Sequence, residues 1–417
     1  MRNGAKLCQW ALIGMSAAGW LTFSSVQAAV TKGPVTDEIG VVVIPNGAPI
    51  RLGGYWVLSG PDSALGIDQM RGVELAIKAQ GRALLGHPIK LIAEDSGCSA
   101  EGGQTAATKL AAQPQLVAVI GPSCSSEATP GAPILWKAGI ISVGTSCTAP
   151  SLTAPDRKPD YLGFLRTVYS DSEQGRHDAR YAHDVLKAKS VVTVHDGSPY
   201  AQQLTSVMGK HFVALGGKVL SEEAVAPTEV DMHPVLTRIA TEHPDVLYFP
   251  VFVAAGAQIL RQARKISGLE KTTLLSSGQM TPDFIKAARD AVVGFSFTYP
   301  DVSTDAQGKG YATFVEEYTQ AYGEGPISGF HANAYDAAIL IFKAIQQVAV
   351  KDNNDNLYIG RKALRDAALN VEFEGLSGPI ACGPYGECAQ FKPAVYEFTS
   401  ADPKSFKIGE NPRKIWP

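Results

Sequence analysis

The sequence lacks the short motifs that mark many catalytic and phosphate-binding sites. It contains no G-x-S-x-G turn for a serine nucleophile and no G-K-[ST] loop for a nucleotide phosphate. It also has no C-x-x-C and no closely paired histidines, so the usual spacing of metal ligands is missing. These absences argue against an enzyme or a metalloprotein, and we expect no catalytic residue, no metal and no cofactor.

Long apolar runs are scarce too, with one exception at the beginning of the chain. Arg2 and Lys6 precede a mostly apolar, uncharged stretch at 10–23, and small residues stand at positions −3 and −1 of a cleavage site after Ala28. We predict that residues 1–28 form a cleavable signal peptide. No later window approaches the roughly 18 apolar residues of a membrane-spanning helix, so we expect an exported, soluble protein.

Charge of either sign is modest. The chain has 37 Lys and Arg against 40 Asp and Glu, and its net charge of −3 becomes −5 without the two basic residues of 1–28. This mild acidity, with no run of basic residues, argues against nucleic acid or an anionic membrane surface as a partner. The 389 residues that remain of 417 exceed what one hydrophobic core usually supports, which predicts two lobes.

Five cysteines lie beyond residue 28, in a compartment where disulfides form. Cys98 and Cys124 each follow a predicted strand, which places both at the same edge of a sheet, where they could pair. Cys382 and Cys388 flank a turn-rich loop that a local disulfide would close. Cys147 is then left over, and a metal site is the alternative use of these residues.

Beyond residue 28, the chain alternates strand-like apolar runs with helix-like segments. This pattern predicts an α/β fold with two Rossmann-like lobes, each built on a parallel sheet. The later helices have no strands of their own, so we expect multiple segments to cross between the lobes. The predicted division is lobe 1 at 37–169, lobe 2 at 170–299, return helices of lobe 1 at 300–376, and a C-terminal hairpin and tail of lobe 2 at 377–417.

One segment combines a buried strand with small hydroxyl residues. The run Leu116–Ile120 is typical of a parallel strand, and Ser123, Ser125 and Ser126 follow it just before a helical stretch. A helix N-terminus supplies free backbone N–H groups, and serine hydroxyls add donors, so the segment suits a small anion such as a carboxylate. The alternative is an ordinary helix cap at a strand–helix corner.

Several short segments, in a fixed order, resemble those of one protein family. They are Leu58-Ser-Gly-Pro61, Glu94-Asp-Ser-Gly-Cys98, Gly121-Pro-Ser-Cys-Ser-Ser126, Thr145-Ser-Cys-Thr-Ala-Pro150, Phe164-Leu-Arg-Thr167, Ser170-Asp-Ser-Glu-Gln-Gly175, Val194-His-Asp196 and Gln258-Ile-Leu-Arg-Gln-Ala-Arg264. On these segments the chain resembles the periplasmic solute-binding proteins of branched-chain amino acid ABC importers, the leucine/isoleucine/valine-binding type. The resemblance implies the type I periplasmic binding fold, whose lobes close over a ligand, and a disulfide between Cys98 and Cys124.

The resemblance also implies ligand contacts in the cleft between the lobes. Ser125 matches a serine that binds the ligand carboxylate at a helix N-terminus, and Asp171 matches an aspartate near the hinge. Tyr200 and Phe252 match two aromatic residues of the pocket. Residues matching a second strand end, which offers backbone groups and a hydroxyl, are Ser146, Cys147 and Thr148.

Further candidates come from the residues themselves. Ser126 adjoins the predicted anion site, and Trp56 and Leu65, with Phe252, offer the apolar wall of a small-molecule site. Core packing is the alternative for Trp56 and Phe252, whereas Asp171 is alternatively the cap of a helix starting nearby.

One stretch departs from the family pattern. The family usually has an acidic residue after the strand that corresponds to Thr273–Ser277, where it pairs with the ligand's ammonium group, but here Gly278 and Gln279 follow. A buried ammonium group without a counter-charge is costly. Either Asp171 takes this role, or the ligand has no ammonium group, and we favour the second with Gln279 as a contact.

These features favour a binding protein over an enzyme. We expect a monomeric periplasmic receptor that captures a small carboxylate- or amide-bearing ligand, an amino acid or related organic acid, and delivers it to the permease of an ABC importer. One alternative is the ligand-sensing component of a signalling receptor. Another is an exported hydrolase using His195 and Asp196, but adjacent strand residues point to opposite faces and cannot align as a triad.

Overall fold

The computed structural model describes residues 29–417, so the signal peptide predicted at 1–28 lies outside the described residues. Within residues 29–417, no helix combines the length and the apolar character that crossing a bilayer requires.

Strands and helices alternate along most of the chain, as the sequence pattern predicts. The strands are β1 (Val30–Lys32), β2 (Val35–Asp37), β3 (Val41–Ile44), β4 (Ile50–Trp56), β5 (Ala83–Leu84), β6 (His87–Asp95), β7 (Leu116–Ile120), β8 (Ile141–Gly144), β9 (Phe164–Arg166), β10 (Ser190–His195), β11 (Lys218–Ala224), β12 (Val246–Tyr248), β13 (Thr273–Ser277), β14 (Ser296–Pro300), β15 (Val350–Lys351), β16 (Leu357–Gly360), β17 (Glu372–Glu374), β18 (Pro379–Ala381), β19 (Pro393–Glu397) and β20 (Arg413–Trp416). The helices are α1 (Ser63–Ala79), α2 (Ala100–Ala111), α3 (Ser125–Lys137), α4 (Asp171–Arg180), α5 (Pro199–Ala214), α6 (His233–Ala240), α7 (Val253–Ala263), α8 (Pro282–Ala288), α9 (Tyr311–Tyr322), α10 (His331–Val348) and α11 (Arg361–Asn370).

Lobe 1 is built on the sheet β5-β6-β4-β7-β8-β9. Its strands from β6 to β9 are parallel, and only the short β5 runs antiparallel to its neighbour. Every residue of β7 is buried, because helices cover both faces of the sheet. The carboxyl ends of β4, β7 and β8 therefore meet at one edge.

Lobe 2 is built on the sheet β11-β10-β12-β13-β14-β19-β20. The strands from β11 to β14 are parallel, and β19 and β20 add an antiparallel hairpin at the other edge. The carboxyl ends of β12 and β13 face the corresponding edge of lobe 1, so the loops after these strands come together between the lobes.

The chain crosses between the lobes after β9, after β14 and between β18 and β19. Helices α9 and α10 pack on lobe 1, where α10 lies along α1, which confirms that the late helices return to an earlier sheet. Ile380 and Cys388 lie in the buried cluster of lobe 1. The last return to lobe 2 therefore comes with β19, later than the predicted position at 377.

Helix α3 begins earlier than the 129–138 that the sequence pattern predicts. It starts at Ser125 and contains Pro130 and Pro133. A proline inside a helix leaves the carbonyl four residues earlier without its N–H partner. For Pro133 that carbonyl belongs to Thr129, and the Tyr161 hydroxyl donates to it at 2.6 Å. The replacement bond lets the helix run through the proline.

Both predicted disulfides are present. Cys98–Cys124 joins the loop after β6 to the start of α3, and Cys382–Cys388 closes the loop after β18. Cys147 is a buried free thiol whose Sγ donates to the Pro122 carbonyl at 2.9 Å. Burial raises the pKa of this thiol well above its ordinary value, so it stays protonated.

Candidate functional site

A cavity lies between the lobes, at the carboxyl ends of both parallel sheets, where open α/β sheets place their ligands. Its volume is about 690 Å³ including its mouth. Its walls come from both lobes: Asp62, Leu65, Ser123, Cys124, Ser125, Ser146 and Thr148 from lobe 1; Asp171, Gln174, Tyr200, Val251, Phe252, Val253, Ser277, Gly278, Gln279 and Thr281 from lobe 2; and Tyr169, Tyr299 and Phe330 beside the crossings.

The N-terminus of α3 supplies hydrogen-bond donors on the lobe 1 side. Two nearby backbone donors are already engaged, because the buried Glu127 carboxylate accepts from the N–H groups of Ser123 at 3.1 Å and Cys124 at 2.8 Å. Ser125 Oγ accepts from the Ala149 N–H at 3.1 Å. Neither the hydroxyl hydrogen of Ser125 nor its backbone N–H has an acceptor among the described residues. Ser125 therefore has two donors to offer a ligand.

The hydroxyls of Ser146 and Thr148 are already engaged. Ser146 Oγ donates to the Ser123 carbonyl at 2.5 Å and accepts from Gln69 Nε2 at 2.8 Å. Thr148 Oγ1 donates to Asp171 Oδ2 at 2.9 Å. Each hydroxyl has a single proton to donate, so these two side chains shape the cavity wall while Ser125 keeps its proton free.

Asp171 is the first residue of α4, and the cap of that helix is Ser170, whose side chain accepts from Ser172 N at 3.2 Å. Asp171 is thus not the cap, the alternative considered above. Its Oδ1 has no donor among the described residues. Burial raises the pKa of the Asp171 carboxyl to about 7, although the Thr148 hydroxyl and the nearby Arg166 guanidinium favour the charged form.

Aromatic and aliphatic side chains form the apolar part of the wall. The rings of Tyr200 and Phe252 lie 5.7 Å apart between centroids, in a tilted arrangement. Leu65 extends from α1 of lobe 1 and packs against the buried cluster of lobe 2. Gly278 has φ +90°, and a Cβ there would lie 3.1 Å from the Tyr200 hydroxyl, so glycine admits the tyrosine to the end of β13.

Gln279 is 1% exposed and lies at the lobe 2 side of the cavity. Its Nε2 donates to the Val251 carbonyl at 2.5 Å, whereas its Oε1 has no hydrogen-bond partner. An unpaired buried acceptor is unusual, because it has lost water without gaining a donor.

Direct hydrogen bonds join the two lobes. Asp62 Oδ1 of lobe 1 accepts from the Val253 N–H, at the N-terminus of α7 in lobe 2, at 3.0 Å. Ser151 and Gln203 exchange two hydrogen bonds across the lobes, each 2.9 Å long. Burial raises the pKa of the Asp62 carboxyl to about 6. The structure is therefore a closed arrangement in which both lobes enclose the cavity.

The sequence profile of one family, described as periplasmic binding protein, matches residues 49–396 of this chain. The chain belongs to the periplasmic binding protein family. The Leu/Ile/Val-binding protein BraC3 of Rhizobium johnstonii is 28% identical over 354 residues, which are 84% of this chain and 92% of that protein.

Solved structures of periplasmic binding proteins share the fold. The leucine binding protein LivK from Thermotoga maritima has a TM-score of 0.75 and 24% identity, covering 84% of this chain and 96% of that chain. A solute binding protein of an ABC transporter from R. palustris, in complex with benzoate, has a TM-score of 0.70 and 20% identity, covering 88% of this chain and 96% of that chain.

Three of the residues predicted as ligand contacts do not line the cavity of this periplasmic binding protein. The Ser126 hydroxyl donates to the Cys98 carbonyl at 2.7 Å, on the far side of the helix start. Cys147 is buried behind the strand end, and Trp56 lies in the core of lobe 1 with none of its surface exposed. We leave these three out of the proposed site. The predicted residues that the fold does bring to the cavity are Ser125, Ser146, Thr148, Asp171, Tyr200, Phe252, Gln279 and Leu65.

Among the polar residues of the cavity that sequence reasoning missed are Asp62 and Gln174. Asp62 directly follows the Leu58–Pro61 segment, which was the available signal. Gln174 sits one turn after Asp171, and its Nε2 donates to Ser277 Oγ at 3.1 Å and Thr298 Oγ1 at 2.7 Å. No local pattern shows that bond, because its partners lie more than a hundred residues away.

Proposed function

We propose that this protein is an extracytoplasmic receptor that captures a small carboxylate- or amide-bearing ligand between its lobes and delivers it to an ABC importer. The observation that carries this proposal is the cavity closed by both lobes, with unengaged donors at the start of α3 on one side. Such a site binds and encloses a small molecule, and it contains no nucleophile with an aligned base.

The carboxylate or amide carbonyl of the ligand binds at Ser125. The hydroxyl and the backbone N–H of Ser125 donate to it, and the dipole of α3, a helix of 13 residues, favours a negative charge there. The apolar part of the ligand packs between Leu65 and the rings of Tyr200 and Phe252. Closing the lobes removes this surface from water and strengthens the polar contacts.

The ligand links the two lobes. Lobe 1 holds the carboxylate at Ser125, and lobe 2 covers the ligand with Tyr200 and Phe252. The Asp62–Val253 hydrogen bond forms only when the lobes meet, so the closed form gains it together with the ligand contacts. A ligand that binds the closed form better shifts the protein toward that form. The closed form then presents a surface made by both lobes, which the membrane permease recognises.

The names of similar proteins support a ligand that carries a carboxylate. Leu/Ile/Val-binding proteins are named for amino acids, and the R. palustris structure contains benzoate. Both ligands carry a carboxylate, which fits the donors at Ser125. We further propose that the protein works as a monomer in the periplasm, without nucleic acid and without an enzymatic activity of its own.

The test is to identify the ligand. Native mass spectrometry of freshly purified protein, followed by denaturation, should release one small carboxylate or amide. Calorimetry with that compound should then show binding to one site per chain. Steady chemical conversion of the compound by the protein would contradict the assignment as a receptor.

A further inference from the structure

We infer that Gln279 selects ligands that bring an N–H or O–H donor to the lobe 2 side of the cavity. The inference deepens the proposed function and depends on it. It starts from one atom, Gln279 Oε1, which is buried at the cavity wall and has no hydrogen-bond partner.

The orientation of the amide is fixed by its surroundings. A side-chain amide can be turned so that its oxygen and nitrogen exchange places. Here Nε2 lies 2.5 Å from the Val251 carbonyl, which only accepts, so the nitrogen must face Val251 and the oxygen must point elsewhere. Gly256 makes room for this arrangement, because a Cβ at that position would lie 2.6 Å from Nε2. Gln279 therefore has an unpaired acceptor, Oε1, while Nε2 donates to the Val251 carbonyl.

No neighbouring side chain satisfies that acceptor. Gln174 is the other side-chain amide of the lobe 2 wall, and its Nε2 already donates to Ser277 and Thr298. Lysine, arginine and histidine are absent from the residues that line the cavity. The ligand is then the group that can donate a hydrogen bond to Oε1. A ligand with only carbon at this place leaves a buried oxygen unpaired, which weakens binding by about tenfold or more.

The experiment compares two matched pairs of probes by calorimetry: L-leucine with 4-methylpentanoate, and 4-hydroxybenzoate with benzoate. Members of a pair differ by one donor group and share the carboxylate. In the pair that binds, we expect the donor-bearing member to bind about tenfold tighter or more. In Gln279→Leu, the ratio of the two affinities within that pair should be close to one.

Two further variants separate a loss of recognition from a loss of structure. Gly256→Ala changes neither Gln279 nor Val251, but its added Cβ should displace the Gln279 amide from α7. This variant should therefore also reduce the ratio of the two affinities within the pair. Gln262→Leu is the matched control on α7: its amide accepts from Met232 N at 2.8 Å and donates to the Val230 carbonyl at 2.7 Å. It should lower stability and leave the ratio unchanged.

The outcomes distinguish this inference from the proposed function. A ratio that survives in Gln279→Leu, or equal binding within both pairs by the unmodified protein, overturns the role of Gln279 alone. Binding of none of the four probes by the unmodified protein, together with no released small molecule on denaturation, contradicts the proposed function itself.

Discussion

The Ser125 hydroxyl is the donor on which the proposed carboxylate contact depends most. Ser125→Ala removes this donor and also the acceptor of the Ala149 N–H, 3.1 Å away. A hydrogen bond to a charged group contributes about 1.5–3 kcal/mol, so affinity for the ligand should fall about 10- to 150-fold. The unpaired Ala149 N–H should lower the free energy of unfolding by about 1–3 kcal/mol, which leaves a typical domain folded.

Calorimetry with the identified ligand and urea unfolding measure the two effects separately. Ser126→Ala is the matched control, because its hydroxyl donates to the Cys98 carbonyl at 2.7 Å and does not line the cavity. The control should lose a little stability and keep its affinity. Unchanged affinity in Ser125→Ala, or an equal loss in both variants, would remove Ser125 from the site.

Three more outcomes follow from the geometry. Asp62→Ala deletes the bond to the Val253 N–H that joins the lobes, so affinity should fall about fivefold or more, and X-ray scattering should show a more open protein with ligand bound. Burial raises the pKa of Asp171 from 3.8 to about 7. The contribution of this carboxyl to the free energy of unfolding is therefore fully present below pH 3.8 and is lost as the pH rises through 7. Asp171→Asn should therefore flatten the pH dependence of the unfolding free energy over that window, measured with urea on ligand-free protein; an unchanged slope would contradict the raised pKa. Replacing both Cys98 and Cys124 by serine opens a link between residues 26 positions apart and should cost about 3–4 kcal/mol, seen as a lower urea midpoint.

The parts of the fold that the sequence predicts are those set by local patterns. Leu116–Ile120 is β7 at the predicted bounds, because an apolar run between polar turns has few other solutions. The start of α3 was predicted four residues late, since it depends on the Glu127 carboxylate reaching back to the N–H groups of Ser123 and Cys124. Strand β14 was not predicted, as it is specified by its neighbours in the sheet rather than by its own pattern.

The residues of the candidate site also fall into two groups, those that local sequence patterns predict and those that only the tertiary structure specifies. Ser125 and Asp171 follow recognisable motifs, and the fold brings both to the cavity. Trp56 was not separable from a core residue by sequence, because a large aromatic at a strand end suits either place. The bond between Asp62 and the Val253 N–H forms only through closure of two lobes that are distant in sequence. Contacts of that kind are decided by tertiary structure, so a single sequence does not reveal them.

The three chain crossings between the lobes have a mechanical consequence. A single linker would leave one lobe free to twist and slide against the other, whereas three connections restrict those motions and favour bending of one lobe toward the other. We expect such a connection to return Ser125 and Asp171 to the same relative position whenever the lobes close. A receptor that closes in this way repeats its geometry over many rounds of loading and release, which is the property that a reusable carrier requires.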